Sequence, residues 1–208
     1  NNTLAHYGAL SVYGGDIPLA CAGIITKVNM IFMSFVIGIS QGIQPIIGFN
    51  YGAAKYTRVR KTYLLALATA TALSFVAFGC FQLFPRQIIS VFGKGSELYF
   101  QFSERYFRIY MFLTLINGIQ PVTSNFFNSI GKSSLGVFMS LTRQILFLLP
   151  LIIVFPIFMG IDGVMYAGPI ADAATGIVCG IFTIRELKEL KTLSYTSGNA
   201  AAASGSAN

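Results

Sequence analysis

Three ionisable side chains lie deep within apolar stretches of this sequence: Lys27, Arg143 and Asp172. A charged side chain at the centre of a bilayer costs roughly 3 kcal/mol on insertion scales, so such residues usually serve transport or pair with one another. Asp172 can pair with Arg143 or Lys27, or it can bind and release a proton or another cation. We therefore predict Asp172 as a candidate for ion coupling, with a structural ion pair as the alternative.

Small and polar residues accompany Lys27 on one face of a helix. Lys27, Ser34, Gly38 and Gln41 are separated by 7, 4 and 3 residues, which returns each to nearly the same angle. Such a face is predicted to point at a cavity or another helix. Gly38 and Gly42 also form the G-x-x-x-G pattern of close helix packing. The alternative is that the Lys27 side chain extends along the helix to the membrane surface.

A second polar face combines Asn117, Ser124 and Asn128, which share one side of a helix. These groups are predicted either to line a wet path or to hydrogen-bond a neighbouring helix. Arg143 adds a cation in a stretch that also contains Pro150 and Pro156, and a structural ion pair is its alternative role. The candidate cavity residues are Lys27, Ser34, Gln41, Asn117, Ser124, Asn128 and Arg143.

Composition indicates a membrane protein. Of 208 residues, 54% are hydrophobic and only 10% charged, whereas soluble domains carry about 25% charged residues. A bilayer needs roughly 20 apolar residues per helix, and the continuous runs are too long for barrel strands. We predict an all-α bundle of about five full transmembrane spans plus the end of a sixth. The five are Pro18 to Ile47, Tyr63 to Phe84, Tyr106 to Ile130, Leu135 to Phe158 and Gly163 to Ile184.

The two ends of the sequence differ in character. Asn1 to Tyr13 is too short to span a bilayer and is predicted to be the last part of a helix that begins in a longer protein. Residues 192–208 consist mostly of Ser, Ala, Gly and Asn, which bury little and predict a disordered tail. The prediction is therefore a transmembrane unit over residues 1–191 followed by a low-complexity tail.

The net charge of +7 is placed beside the apolar runs. If the spans alternate in direction, the basic run from Lys55 to Lys61, Lys132 and the charged segment from Arg185 to Lys191 all fall on one side. The positive-inside rule predicts that this side, with the tail, is cytoplasmic. The same placement argues against nucleic acid as a partner and in favour of the lipid bilayer.

Sites for metal or enzyme chemistry are not indicated. Cys21, Cys80, Cys179 and His6 do not have the spacing of a zinc or redox site. A membrane enzyme acting on phosphates would need clustered acids to hold magnesium, and the sequence has no D-x-x-D pattern. We predict neither catalysis nor a bound cofactor.

Four segments together resemble one family of transporters. "GISQGIQPIIGFNYGAAKYTRVRKT" (Gly38 to Thr62) is similar to the signature of multidrug and toxic compound extrusion (MATE) transporters. Within this segment, Gln41 and Gln44 are expected to satisfy backbone groups that Pro45 leaves free. The same family is resembled, in the same order, by "YGGDIPLACAGIITKVNMI", "SIGKSSLGVFMSLTRQILFLLPLI" and "GIDGVMYAGPIAD".

The resemblance implies a particular fold and activity. It extends over about residues 1–191 and is most similar to the bacterial branch of the staphylococcal multidrug exporter. The family's twelve helices form two lobes, of which this chain would be the second. Resemblance further implies a multi-pass protein of the bacterial inner membrane that exports organic cations in exchange for H⁺ or Na⁺ by alternating access. The family's best-known acidic residues have no counterpart in this sequence. A lipid-linked oligosaccharide flippase of the same superfamily is the alternative.

Overall fold

The computed structural model describes residue 14 and residues 16–93 and 95–205, with side chains described as far as residue 196. This part of the chain is helical, without a strand, as the sequence predicts. The helices are α1 (Asp16–Gly42), α2 (Gln44–Gly52), α3 (Tyr56–Leu83), α4 (Pro85–Phe92), α5 (Glu97–Tyr110), α6 (Thr114–Asn117), α7 (Ile119–Ser129), α8 (Ser133–Leu141), a π-helical segment (Thr142–Leu148), α9 (Leu149–Met159) and α10 (Ile161–Gly205).

Four helical stretches in the described residues are long and apolar enough to cross a membrane: Asp16–Gly52, Tyr56–Leu83, Ser133–Met159 and Ile161–Thr196. They correspond to the first, second, fourth and fifth predicted spans. Large apolar side chains on these stretches are exposed, among them Phe75, Val76, Ile153, Ile157, Ile177 and Ile181. Lipid is the medium in which such a surface is stable, so the chain is a polytopic transmembrane helix bundle.

The third predicted span, Tyr106 to Ile130, is wrong as a single helix. The chain leaves helical geometry after Tyr110, forms the short α6, and breaks again at Gly118 before α7. Thr114 donates a hydrogen bond to the Met111 carbonyl at 2.7 Å and so stabilises the turn that follows Tyr110. A Cβ at Gly118 would lie 2.9 Å from the Ser74 Oγ, because α3 packs against the second break. The predicted end of a sixth span, residues 1–13, lies outside the described residues.

The core of the bundle is built around α7, which contacts α1, α2, α3, α8 and α10. Phe126 and Phe127 on α7 are fully buried. The Tyr63 ring of α3 lies against Phe126 with centroids 4.2 Å apart. The Tyr63 hydroxyl is 3.0 Å from Thr123 of α7 and 3.0 Å from Thr183 of α10. One buried hydroxyl therefore connects three helices, and its partners satisfy the polar group that burial would otherwise penalise.

Polar contacts fix the end of the bundle at which the basic segments meet. Lys132, in the turn between α7 and α8, donates to both Glu186 carboxylate oxygens at 2.8 Å and to Glu189 at 3.1 Å. Thr57 at the start of α3 is 2.7 Å from the Ser194 hydroxyl of α10. The alternation of the spans thus brings the basic run after α2, Lys132 and the end of α10 to the same side.

Exposed ion pairs occupy the opposite end. Arg86 and Glu97 pair at 2.9 Å, and Arg105 and Asp162 at 3.1 Å. Both pairs are largely exposed, so each contributes little to stability. Their charges compensate each other, whereas basic residues outnumber acidic ones at the first end.

The last helix extends further than the sequence indicates. α10 continues beyond Lys191 as far as Gly205, although a disordered tail is expected from residue 192. Residues 200–203 are all alanine, which has the highest helix propensity of any residue type and favours continuation of a helix already formed. The division of the chain at residue 191 stays a prediction.

Candidate functional site

The central feature of the bundle is an ion pair between two spans. Arg143, in the π-helical segment, donates from Nε to Oδ1 of Asp172 on α10 at 2.5 Å. The Asp172 side chain is 1% exposed and that of Arg143 is 20% exposed. Of the pairings open to Asp172, the structure contains the one with Arg143, and Lys27 is not involved.

The π-helical segment is what brings Arg143 to this position. Pro150 lacks an N–H group, so an α-helix here would leave the Leu146 carbonyl without its partner. An i→i+5 pattern shifts the hydrogen bonds by one residue and turns the side chains of Thr142–Leu148 relative to α8. Thr142 also donates to the Phe138 carbonyl at 2.6 Å. The distorted segment that contains Arg143 thus begins at Thr142, whose hydroxyl bonds the preceding turn, and ends just before Pro150.

Side chains from the interrupted third span complete the surroundings of the ion pair. The Tyr110 hydroxyl lies within hydrogen-bonding reach of Arg143, and Asn117 of α6 lies beside Asp172. Gly168 admits the Tyr110 ring, since a Cβ there would be 2.5 Å from the ring edge. The second carboxylate oxygen of Asp172 is buried and receives no well-formed hydrogen bond from the described residues. Asn117 is the neutral polar side chain that lies beside this carboxylate.

The predicted polar face of α1 is open. Lys27, Ser34 and Gln41 are all exposed, and Ser34 donates only to the Met30 carbonyl of its own helix at 2.8 Å. A Cβ at Gly38 or Gly42 would meet nothing within 4 Å in the described residues. No other described helix therefore packs closely on Gly38 and Gly42, and this face of α1 is exposed.

The remaining candidates on α7 lie in a helix contact. Ser124 is buried and donates to the Gly136 carbonyl of α8 at 2.7 Å. Asn128 is exposed, but its amide lies where a Cβ on Gly136 would be. This polar face was predicted either to line a wet path or to hydrogen-bond a neighbouring helix. Ser124 lies in a hydrogen-bonded helix interface. Asn117 lies apart from that interface, beside Asp172.

A polar network between α1, α2 and α7 was missed by the sequence reasoning. Gln44 donates to the Asn125 side chain at 2.8 Å, Asn125 donates to the Ser40 hydroxyl, and Ser40 donates to the Pro121 carbonyl at 2.9 Å. The expectation that Gln44 satisfies backbone groups near Pro45 is wrong, because its amide bonds α7 instead. The signal available in the sequence was the pair of polar clusters, Ser40 to Gln44 and Ser124 to Asn128.

Among the described residues, no group of three or more His, Cys, Asp or Glu side chains could hold a metal ion. Cys21 and Cys179 are buried free thiols.

Long lipid-facing helices, a distorted span with a buried ion pair and an open polar face together describe a polytopic membrane bundle with polar groups inside its spans. The family model described as MatE matches residues 7–154, which is most of the chain. The chain therefore belongs to the MatE family, whose members are transporters rather than enzymes.

Similar proteins have related folds. The MATE multidrug transporter DinF-BH, solved with a bound compound, is 35% identical, with a TM-score of 0.73 over 78% of this chain and 36% of its own. A MATE structure in the bent conformation is 17% identical with a TM-score of 0.81, over 93% of this chain and 42% of its own. The curated FAD transporter of Shewanella oneidensis is 22% identical over 77% of this chain and 35% of its own length. This chain thus spans about a third of the length of DinF-BH and of the FAD transporter.

Proposed function

We propose that this chain is the second lobe of a secondary active exporter that moves bulky organic cations by alternating access, in exchange for H⁺ or Na⁺. The observation that carries the proposal is the open face of α1, on which Lys27, Ser34 and Gln41 are exposed. An apolar helix that presents a charged and two polar side chains is stable in a bilayer only if that face borders water or another polar surface. A cavity shared with a first lobe supplies such a border.

The orientation is part of the same proposal. The end of the bundle that holds Arg60, Lys132 and Lys191 faces the cytoplasm of a bacterial inner membrane, because basic residues concentrate there. Membership of the staphylococcal exporter branch is supported by the Gly38 to Thr62 segment. The description of a 35% identical relative as a multidrug transporter supports an organic cation as substrate.

Asp172 is the proposed coupling group of this lobe. Its Oδ2 receives no well-formed hydrogen bond from the described residues. A proton or Na⁺ could therefore bind there while Oδ1 keeps Arg143. Replacement by Asn prevents charge change at this position. We expect Asp172→Asn to abolish the dependence of transport on pH or Na⁺ in full-length protein, while Glu97→Gln in an exposed pair leaves it intact.

The direct test uses the full-length protein in vesicles with an imposed proton or sodium gradient and the fluorescent cation ethidium as the transported probe. Accumulation should require one of the gradients and collapse when that gradient is dissipated. Transport that persists without either gradient would exclude antiport. Coupled transport that is unaffected by Asp172→Asn would leave the exporter in place and make Asp172 structural.

A second candidate is favoured by Lys27. This cation lies on the open face and forms no ion pair with any described residue, so it would attract an anionic substrate such as the pyrophosphate of a lipid-linked oligosaccharide. Lys27→Gln should weaken transport of an anion but strengthen or spare transport of ethidium. The direction of the change therefore separates the two candidates.

A further inference from the structure

A basic groove lies between the first turn of α3 and the end of α10. It has a volume of about 290 Å³ and is lined by Tyr56, Thr57, Arg60, Leu190, Lys191, Ser194 and Tyr195. Among these lining residues the Leu190 side chain is buried. The hydroxyls of Thr57 and Ser194, 2.7 Å apart, join its two walls. The groove is thus a concave site whose shape is set by a polar contact between two spans.

The charge of the groove has one sign. Arg60 and Lys191 are exposed, and neither forms an ion pair within the described residues. The nearby carboxylates of Glu186 and Glu189 are held by Lys132 instead. Burial of Lys132 works against its charged form, but the hydrogen bonds that it donates to Glu186 and Glu189 outweigh burial and raise the Lys132 pKa. Both carboxylates thus face Lys132, and the charged residues that line the groove itself are Arg60 and Lys191.

The depth of the groove matches the headgroup layer of a bilayer. A second groove, lined by Gln82, Arg108 and Tyr166 among others, lies on the same pair of helices toward their other end. From Arg60 to Gln82 the α3 axis rises by about 33 Å at 1.5 Å per residue. A hydrocarbon core is about 30 Å thick. Arg60 and Lys191 thus lie where lipid phosphates lie when the opposite end is at the other surface.

Apolar side chains continue from the groove toward the membrane interior. Leu64 follows Arg60 by one helical turn, and Ile184 precedes Lys191 by two turns. Both are exposed, at 39% and 58%. A ligand with an anionic head and an apolar chain would place the head between Arg60 and Lys191 and the chain along this surface. A soluble phosphate would use only the first of these features.

We propose that this groove binds the phosphate of an anionic phospholipid in the leaflet on the basic side of the protein. Arg60 donates two parallel N–H bonds to phosphate oxygens, and the Lys191 ammonium donates to a remaining oxygen. Lys191, whose Nζ lies 6.0 Å from the centroid of the Tyr195 ring, is held over the groove by that ring. Basic pockets between membrane helices are suited to anionic headgroups. The site goes beyond the proposed transport function, and only the assignment of its leaflet rests on the proposed orientation.

The test measures lipid binding to the full-length protein in detergent by native mass spectrometry and by the thermal unfolding midpoint. Phosphatidylglycerol should bind and raise the midpoint, whereas phosphatidylcholine should not. In the double variant Arg60→Gln, Lys191→Gln the affinity for phosphatidylglycerol should fall about tenfold or more. The matched control Lys55→Gln, Arg185→Gln removes the same charge from the same end outside the groove, and it should keep the wild-type affinity.

Three outcomes would overturn the proposal. Equal loss of affinity in the control would mean that binding follows the overall surface charge. Equal binding of phosphatidylcholine would remove the role of the anionic headgroup. A midpoint shift produced by inorganic phosphate alone, and as large as that of the lipid, would make the groove a simple anion site. The four positions are exposed, so unchanged midpoints of both variants without lipid show that folding is intact. Because transport is not measured, failure here leaves the exporter proposal untouched.

Discussion

Removing the carboxylate of the buried ion pair should destabilise the protein strongly. In Asp172→Asn, Arg143 keeps its charge but loses the negative charge of the carboxylate that lies 2.5 Å from its Nε. Breaking a buried pair from one side costs about 3–5 kcal/mol, because the remaining charge is left without a partner. The Arg143 side chain is still 20% exposed, so we expect the lower end, about 3 kcal/mol. At roughly 2–4 °C per kcal/mol the unfolding midpoint should fall by about 6–12 °C.

The assay is the thermal midpoint of the purified full-length protein in detergent, recorded at one fixed scan rate because membrane proteins often unfold irreversibly. Asp162→Asn is the control, since it breaks an exposed pair with Arg105 and should shift the midpoint far less. The double variant Arg143→Met, Asp172→Leu removes both charges and should recover most of the lost stability. The cycle of single and double variants isolates the coupling between the two side chains.

A small effect would refute the reasoning. If Asp172→Asn lowers the midpoint no more than Asp162→Asn, the ion pair does not stabilise the bundle. If the double variant is as unstable as the single one, the loss comes from packing rather than from an unpaired cation. Either result would mean that the pairing of Arg143 with Asp172 does not stabilise the bundle.

Three further perturbations test other contacts by the same midpoint assay. Gly136→Ala should cost about 1–3 kcal/mol, because its Cβ would lie 2.9 Å from a carbonyl oxygen of α7, whereas Gly180→Ala, with nothing within 4 Å, should be neutral. Asn125→Ala should cost about 1–3 kcal/mol by removing the acceptor of the half-buried Gln44 amide and the amide donor to the buried Ser40 hydroxyl. Asn50→Ala, whose side-chain amide donates to the Ile46 carbonyl of its own helix at 2.8 Å, should cost less. Lys132 has a raised pKa, so its contacts stabilise the fold at every pH below the unfolded value near 10.5 and are lost as pH rises through the folded value. The stability difference between wild type and Lys132→Met should accordingly be constant between about pH 7 and pH 9; a marked change within that window would contradict the assignment.

The regular helices were predictable because their signals are local. The spacing of Lys27, Ser34 and Gln41 identifies one face of a continuous helix, and the structure leaves that face open. The alternation of basic segments likewise predicted which loops meet at one end. Both inferences need only the helical period and the thickness of a bilayer.

The break in the third span shows where such reasoning fails. An apolar window treats residues 106–130 as one helix, since hydropathy does not register the loss of hydrogen bonds at Gly118. At this break Ser74 of α3 lies close to where a side chain at Gly118 would be. That contact joins residues far apart in sequence. The pairing of Gln44 with Asn125 was hidden for the same reason, because the register between two helices is a property of the packed bundle.

The positions of the charged side chains within the membrane-spanning helices affect which substrates this lobe could accept. Asp172 is the one acidic residue predicted deep in a span. Its side chain pairs with Arg143 inside the bundle and does not reach the open face of α1. Lys27 therefore gives that face a positive charge which nothing in the described residues compensates. A cavity for organic cations needs acidic or aromatic groups to offset this charge, since a bare amine would repel the substrate. If this lobe serves a cation exporter, such groups must lie close enough to this face to offset Lys27, and Lys27→Gln should then improve cation binding rather than impair it.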